Sequence, residues 1–287
     1  MKYRKRIVKS VQLETWSSAE VKTHLQLDNR LAIVPVGSFE QHGPHAPLGT
    51  DTFISVEVSY RLAQRLGAVV VPPVWFGISD EHMDFAGTIT VSPDTLCNLM
   101  ADIVISLKAG GFNDILILNG HAGNGPHLSC VRDMVTQKSG QEINLLIKSY
   151  WDELAEGEKK KLSSLEWGLH ANEFETSVIA AILPATVKKI KDTGNFPDMS
   201  TLNGQDMNEK AFKNLIKNSN GVWGDPTRAS IKRGRALLAQ IELTLTNYLA
   251  KELKLSNSDC AFEMEKPKMK NPETDQVNVY SGGCGGI

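Results

Sequence analysis

The run from Leu31 to Val36 is short, apolar and rich in branched side chains, and it ends at Gly37, as a buried strand does where it leaves a sheet. The polar segment that follows, Ser38-Phe39-Glu40-Gln41-His42-Gly43-Pro44-His45-Ala46-Pro47-Leu48-Gly49-Thr50-Asp51, therefore begins at a strand exit. Side chains alternate along extended backbone, so Glu40 and His42 point to one side, about 7 Å apart. Gly43, Pro44, Pro47 and Gly49 impose a turning path that can return Asp51 to them. Carboxylate with imidazole is a ligand mixture that zinc and manganese accept. Loop histidines and acids are also common on ordinary surfaces, so a metal site requires other clusters to converge on this one.

The rest of the chain alternates strand and helix patterns. Ser17 or Ser18 caps a short helix toward Leu27, and Phe53 to Leu66 has helical spacing closed by Gly67. Ala68–Val74 reads as a second buried strand, Trp75–Gly87 as a polar and aromatic loop, and Thr88–Val91 as a short alternating strand. Ser92-Pro93-Asp94 opens a helix through Leu107, stopped by Gly110-Gly111. A third strand, Asn113–Leu118, leads into Asn119-Gly120-His121-Ala122-Gly123-Asn124-Gly125. A helix over 126–138, a strand over 143–150 and a charged helix over 151–165 follow. This alternation predicts an α/β chain with a largely parallel sheet and helices on both faces. Residues 184–225 read as a loop-rich excursion, 229–253 as a closing helix, and 255–287 as a mobile tail. The expected organisation is one domain over 1–254.

With 31 basic and 33 acidic residues interspersed, the formal charge of −2 offers no field for nucleic acid or an anionic bilayer. A small-molecule partner is expected instead. No stretch approaches the roughly 18 apolar residues of a membrane span, and the basic start lacks a signal-peptide apolar region. Cys97, Cys130, Cys260 and Cys284 form no Cys-x-x-Cys pair and read as free, mostly buried thiols in a reducing cytoplasm, with Cys284 the exposed one.

A third polar cluster is His170-Ala171-Asn172-Glu173-Phe174-Glu175-Thr176-Ser177, before an apolar helix expected over 178–183. Glu173 and Glu175 fall at or just before that helix's N-terminus, where a carboxylate is also favoured simply as a cap. The carboxyl ends of parallel strands share one edge, so Glu40/His42/Asp51, His121 and this third cluster can meet there.

These segments, with Phe85-Ala86-Gly87-Thr88, resemble the creatininase (creatinine amidohydrolase) family over roughly residues 30 to 185. The resemblance implies a three-layer α/β/α fold, homo-oligomeric assembly as a hexamer, and two divalent ions, Zn2+ or Mn2+. It implies that Glu40 and His121 hold one metal, that His42 holds the other, and that Asp51 bridges them. A bridging hydroxide would attack a carbon–nitrogen bond in a small, often cyclic, amide.

Creatininase itself has a Glu two residues after the metal-binding His, where this chain has Gly123. Glu175 or Glu173 would then complete the ligand set, with Glu175 preferred. His170 and Glu175 are the candidate catalytic residues, His170 resembling the family's proton shuttle. Ser79, His82 and Trp167 are candidate substrate contacts, and His45 and His127 candidate hydrogen-bonding residues nearby. The rival readings are a formamide deformylase on a ring-opened pyrimidine nucleotide, using Lys232, Arg233 and Arg235 for phosphate, a hydrolase of a cyclic polyol ketone, and a non-catalytic metal-binding assembly subunit.

Overall fold

A computed structural model describes residues 10–26, 31–155, 157, 170–189 and 219–255. Four strands, β1 (Leu31–Val36), β2 (Val69–Val70), β3 (Asp114–Asn119) and β4 (Asn144–Ser149), form one parallel sheet in the order β2-β1-β3-β4. Alternating residues of the two central strands serve two cores. Leu31, Ile33, Leu116 and Leu118 face one side, and Val34, Val36, Ile115 and Ile117 the other. That is why β1 reads as continuous apolar sequence and is buried along its whole length.

On the first face lie α2 (Thr50–Leu66), α6 (Glu173–Ile182) and α7 (Ile231–Glu252), through Ile54, Val58, Leu62, Val178, Leu237, Ile241 and Leu245. On the second lie α3 (Pro93–Ala109), α4 (Gly125–Leu128) and α5 (Val131–Ser139), through Leu96, Met100, Val104, Leu128, Val131 and Val135. The fold is thus the expected three-layer α/β/α arrangement. Outside it, α1 (Ser18–His24) is opened by a capping box between Ser17 and Glu20.

Several boundaries differ from the sequence expectation for local reasons. α2 begins at Thr50, whose hydroxyl bonds the Pro47 carbonyl at 2.7 Å, so Asp51 lies in its first turn. Gly67 ends it in the left-handed conformation, φ 65°. β2 stops at Val70 because Pro72 and Pro73 have no N–H to give; pairing resumes only as the Val36–Val74 bridge. Residues 88–91 contribute one antiparallel bridge, Ile89 to Phe39, and not a strand.

The helix expected over 126–138 is broken at Ser129–Cys130, where the Cys130 N–H bonds three residues back to the His127 carbonyl. Cys130 is exposed there, contrary to the buried thiol expected, whereas Cys97 is buried. α6 begins at Glu173, five residues early, because the Asn172 side chain caps it by accepting the Glu175 N–H at 3.0 Å. The Glu158–Lys161 run, Cys260, Cys284, most of the 184–225 excursion and the tail beyond 255 lie outside the described residues.

α6 and α7 cross in close contact at Gly234, where an added Cβ would run into the Ser177 carbonyl and lie 2.8 Å from the Ala181 Cβ. In an ordinary helix interior Gly→Ala stabilises by roughly 0.5–1 kcal/mol. Here overpacking reverses the sign: Gly234→Ala is expected to destabilise by about 1–3 kcal/mol, read as a lower urea midpoint with unchanged slope.

Candidate metal centre

The sheet delivers its polar groups to one edge. Glu40 and His42 follow β1, His121 follows its neighbour β3, and the Gly120 N–H bonds the Val36 carbonyl at 2.8 Å, locking the two exits together. A Cβ on Gly120 would strike the Asp51 carbonyl, so glycine there lets the first turn of α2 press against the exit of β3. Asp51 then addresses both histidines. Its Oδ1 lies 3.1 Å from His42 Nε2 and its Oδ2 3.0 Å from His121 Nδ1, with Ser38 donating to Oδ2 at 2.6 Å.

Glu40 is fully buried, and its Oε2 accepts from Ser79 Oγ at 2.6 Å and lies 3.3 Å from His121 Nε2. Its Oε1 makes no hydrogen bond, and the nitrogens nearest it are His82 Nε2 and His170 Nδ1, each at 3.5 Å. A buried carboxylate oxygen without a hydrogen bond calls for a cation.

The third cluster joins from α6. His42, His170 and Glu175 bring potential ligand atoms within 4.8 Å of one another, as do Glu40, Asp51 and His121, and Glu40, His82 and His170. Glu173 points elsewhere, to an ion pair with Arg233 of α7. Position 123 cannot supply an acid, because a Cβ there would run into the Ile78 carbonyl and lie 2.5 Å from His121 Nε2. The Glu175 carboxylate also accepts the Ala171 N–H at 2.6 Å. Ala171 itself has φ 51°, a left-handed conformation that costs a Cβ-bearing residue about 1–2 kcal/mol. This strain sits directly between His170 and the cap of α6.

The creatininase family model, described as creatinine amidohydrolase, matches residues 14–249. The chain belongs to the creatininase family. It is 32% identical to a mycofactocin precursor peptide peptidase of Mycobacterium ulcerans, over 73% of this chain and 80% of that protein. It is 27% identical to a creatinine amidohydrolase of Pseudomonas putida, over 60% and 71% respectively. A crystal structure of creatinine amidohydrolase superposes with a TM-score of 0.76 at 22% identity, covering 86% of this chain and all of that one, which shows the shared fold. The creatininase-family relatives named here are hydrolases, and this chain carries metal-capable groups at its own sheet edge.

Within this creatininase-family site the histidines divide into two kinds. Burial alone would lower His42, but the Asp51 charge and hydrogen bond outweigh it and raise it to about 9. His121 is likewise raised to about 10, burial being overcome by Glu40 and Asp51. Burial would raise Asp51, yet His42 and His121 hold it well below the usual carboxylate range. Glu40 and Glu175 are pushed up to about 7 by burial, opposed by His121 and His42 respectively. His170 and His82 have no such carboxylate bond. Burial and the neighbouring imidazolium charges keep His170 well below its ordinary value and His82 at about 3.

Gln41, given no role by the sequence reading, orients both neutral rings. The Gly43 N–H donates to Gln41 Oε1 at 2.8 Å, which identifies the other end of the amide as the donor. Gln41 Nε2 then donates to His82 Nδ1 at 2.8 Å, leaving the His82 proton on Nε2, toward Glu40. His170 Nε2 lies 2.7 Å from the Gln41 carbonyl and must donate to it, leaving the lone pair on Nδ1. The 3.1 Å approach of Gln41 Nε2 to His170 Nε2 is then a donor–donor contact, because the shorter carbonyl bond decides the tautomer.

Trp223 was also missed: it stacks on His82 at 4.7 Å and 9°, lies 4.8 Å from the His170 ring, and is bridged to His170 through the backbone. Nothing local in its sequence signals this, because the contact spans the chain. Asn124 joins the Gly37 carbonyl, the Ile78 N–H and Asn119, tying three loops together.

Ser79 supports Glu40, and His45 bonds Thr176 at 2.9 Å. The His127 carbonyl accepts from Cys130 and from Cys97 of α3. Trp167 lies outside the described residues.

Two measurements follow from this geometry. In the metal-free protein His42 and His121 hold protons at pH 7, and a cation must displace them to use their lone pairs. Zinc affinity should therefore rise about tenfold per pH unit per displaced proton up to pH 9, with proton release measurable calorimetrically in buffers of different ionisation enthalpy. Binding without proton uptake by the buffer would contradict the assignment of these imidazoles. Secondly, nitrogen-15 histidine spectra should show His82 and His170 as neutral Nε2–H tautomers. Gln41→Leu should release His82 into a tautomer mixture while His170, held by backbone, keeps its own.

Proposed function

We infer that this chain is a metal-dependent hydrolase cleaving a carbon–nitrogen bond in a small, polar, cyclic amide. One observation carries the reading: two buried carboxylates, Glu40 and Asp51, and the half-buried Glu175 converge with His42 and His121, and Asp51 addresses both imidazoles with separate oxygens. Glu40, Asp51 and His121 would hold one divalent cation, and His42, Asp51 and Glu175 the second. Two divalent cations exceed three carboxylates by one positive charge, which suits an anionic transition state. When bound, zinc or manganese would supply Lewis acidity toward the amide carbonyl and activate water.

The chain's own groups do the rest. His170 keeps its Nδ1 lone pair free and can carry a proton to the leaving nitrogen, because Gln41 fixes its ring by the opposite nitrogen. His82 offers an N–H from the same side, and Trp223 closes the wall behind it. Homo-oligomeric assembly, hexameric by family resemblance, and cytoplasmic operation belong to this reading; light scattering checks the former.

A peptide amide is the second reading. The 32%-identical relative is named as a peptidase, and Phe76, Met83 and Ile89 stand exposed on the loop that carries Ser79 and His82. The deformylase alternative loses one phosphate candidate, since Arg233 is already paired with Glu173. A panel of lactams and hydantoins against short peptides separates the two amide readings.

Metal analysis tests the centre itself. Wild type is expected to retain about two zinc or manganese ions per chain, Glu175→Gln about one, and Glu173→Gln the wild-type content with a lower melting temperature. A loss confined to Glu173→Gln, or no retained metal in any form, would sink the ligand assignment.

A further inference from the structure

Outside the metal centre, two thiols are held together by the core. Cys97 lies on the buried side of α3 among Leu96, Met100 and Ala101, and Cys130 lies at the exposed break between α4 and α5. Their sulfurs are 3.6 Å apart. Both S–H groups point at one acceptor, the His127 carbonyl, at 3.3 Å from Cys97 and 2.8 Å from Cys130. The elements that carry them are packed together through Leu96, Leu128, Val131 and Val135, so the approach is set by apolar packing. A disulfide needs a sulfur separation of about 2.05 Å, a closure of about 1.5 Å.

We propose that Cys97 and Cys130 form a reversible oxidation site, in which a low-molecular-weight disulfide reacts first with exposed Cys130 and buried Cys97 then resolves the adduct. The order follows from access. Cys130 meets solvent, whereas Cys97 is 4% exposed and its thiol is pushed up to about 11 by burial and by Cys130 beside it.

The Cys130 thiolate attacks one sulfur of the reagent, forming a mixed disulfide and expelling the first thiolate. Cys97 gives up its proton and attacks the Cys130 sulfur, expelling the second thiolate. The two protein thiols lose two electrons and two protons, and the reagent leaves as two thiols. The bond would clamp α3 to the α4–α5 junction, nine residues beyond His121, and close a loop that the metal centre depends on for its β3 exit. It requires no change in the metal ligands.

The test is treatment of the full-length metal-loaded protein with oxidised glutathione, followed by alkylation and non-reducing peptide mapping. A linked peptide pair containing Cys97 and Cys130, reversed by dithiothreitol, is the expected result, with a raised melting temperature of the oxidised form. Cys97→Ser should instead accumulate glutathione on Cys130, because no resolving thiol remains. Cys130→Ser should leave Cys97 unmodified. If wild type keeps glutathione on Cys130 with Cys97 free, or if Cys130 pairs with Cys260 or Cys284, the proposal is overturned. An unreactive Cys130 overturns it equally. None of these outcomes depends on the substrate, so they stand apart from any failure of the hydrolase reading.

Discussion

Two carboxylates withdrawn from water at one sheet edge, with the half-buried Glu175 of α6 beside them, are the constraint on which the rest of this protein turns. Glu40 and Asp51 are 0% and 2% exposed, and both pair with imidazoles, not with lysine or arginine. A neutral imidazole compensates nothing, and a protonated one compensates a single charge. The metal-free site therefore lifts the imidazoles His42 and His121 toward protonation and the carboxylates Glu40 and Glu175 toward neutrality, a compromise that divalent cations would replace.

The fold delivers that constraint through a few close approaches. Adjacent parallel strands leave the sheet together, but their loops reach the same point only because residues without side chains sit where backbones meet. At Gly120 the first turn of α2 touches the end of β3, and at Gly123 the Ile78 carbonyl and the His121 ring fill the space a side chain would take. The second contact has a chemical consequence. It excludes an acid at 123, and the third carboxylate near the site, Glu175, comes from α6, in another part of the chain. Asn124 then holds the loops in register with hydrogen bonds that replace sheet pairing.

Much of this was legible in the sequence because the signals are local. The branched run of β1, the glycines and prolines before Asp51, and the alternation of strands with helices each depend on near neighbours, and they located both the layer order and the clusters. The divergence of Glu173 from Glu175 was not legible, because it rests on where α6 begins. Once Asn172 caps the helix, residues two apart cannot share a face, and the pair diverges toward α7 on one side and the metal centre on the other. Gln41 and Trp223 were silent for a different reason. A glutamine between two ligand candidates looks like spacing, and its function emerges only when rings from positions 82 and 170 close around it.

That closure explains why histidines buried to the same degree behave oppositely. His42 and His121 touch Asp51 and hold protons; His82 and His170 are turned by Gln41 so that one presents N–H and the other a lone pair, and both stay neutral. On the hydrolase reading proposed above, a donor and an acceptor on adjacent tilted rings, backed by an indole, would suit a group that has both polarities and a flat face. An amide has these properties, whether it belongs to a ring or to a peptide. On that reading discrimination between the two would come from outside the floor, from the 75–91 loop with its exposed Phe76, Met83 and Ile89, where the room beyond the amide would decide how long a substrate can be.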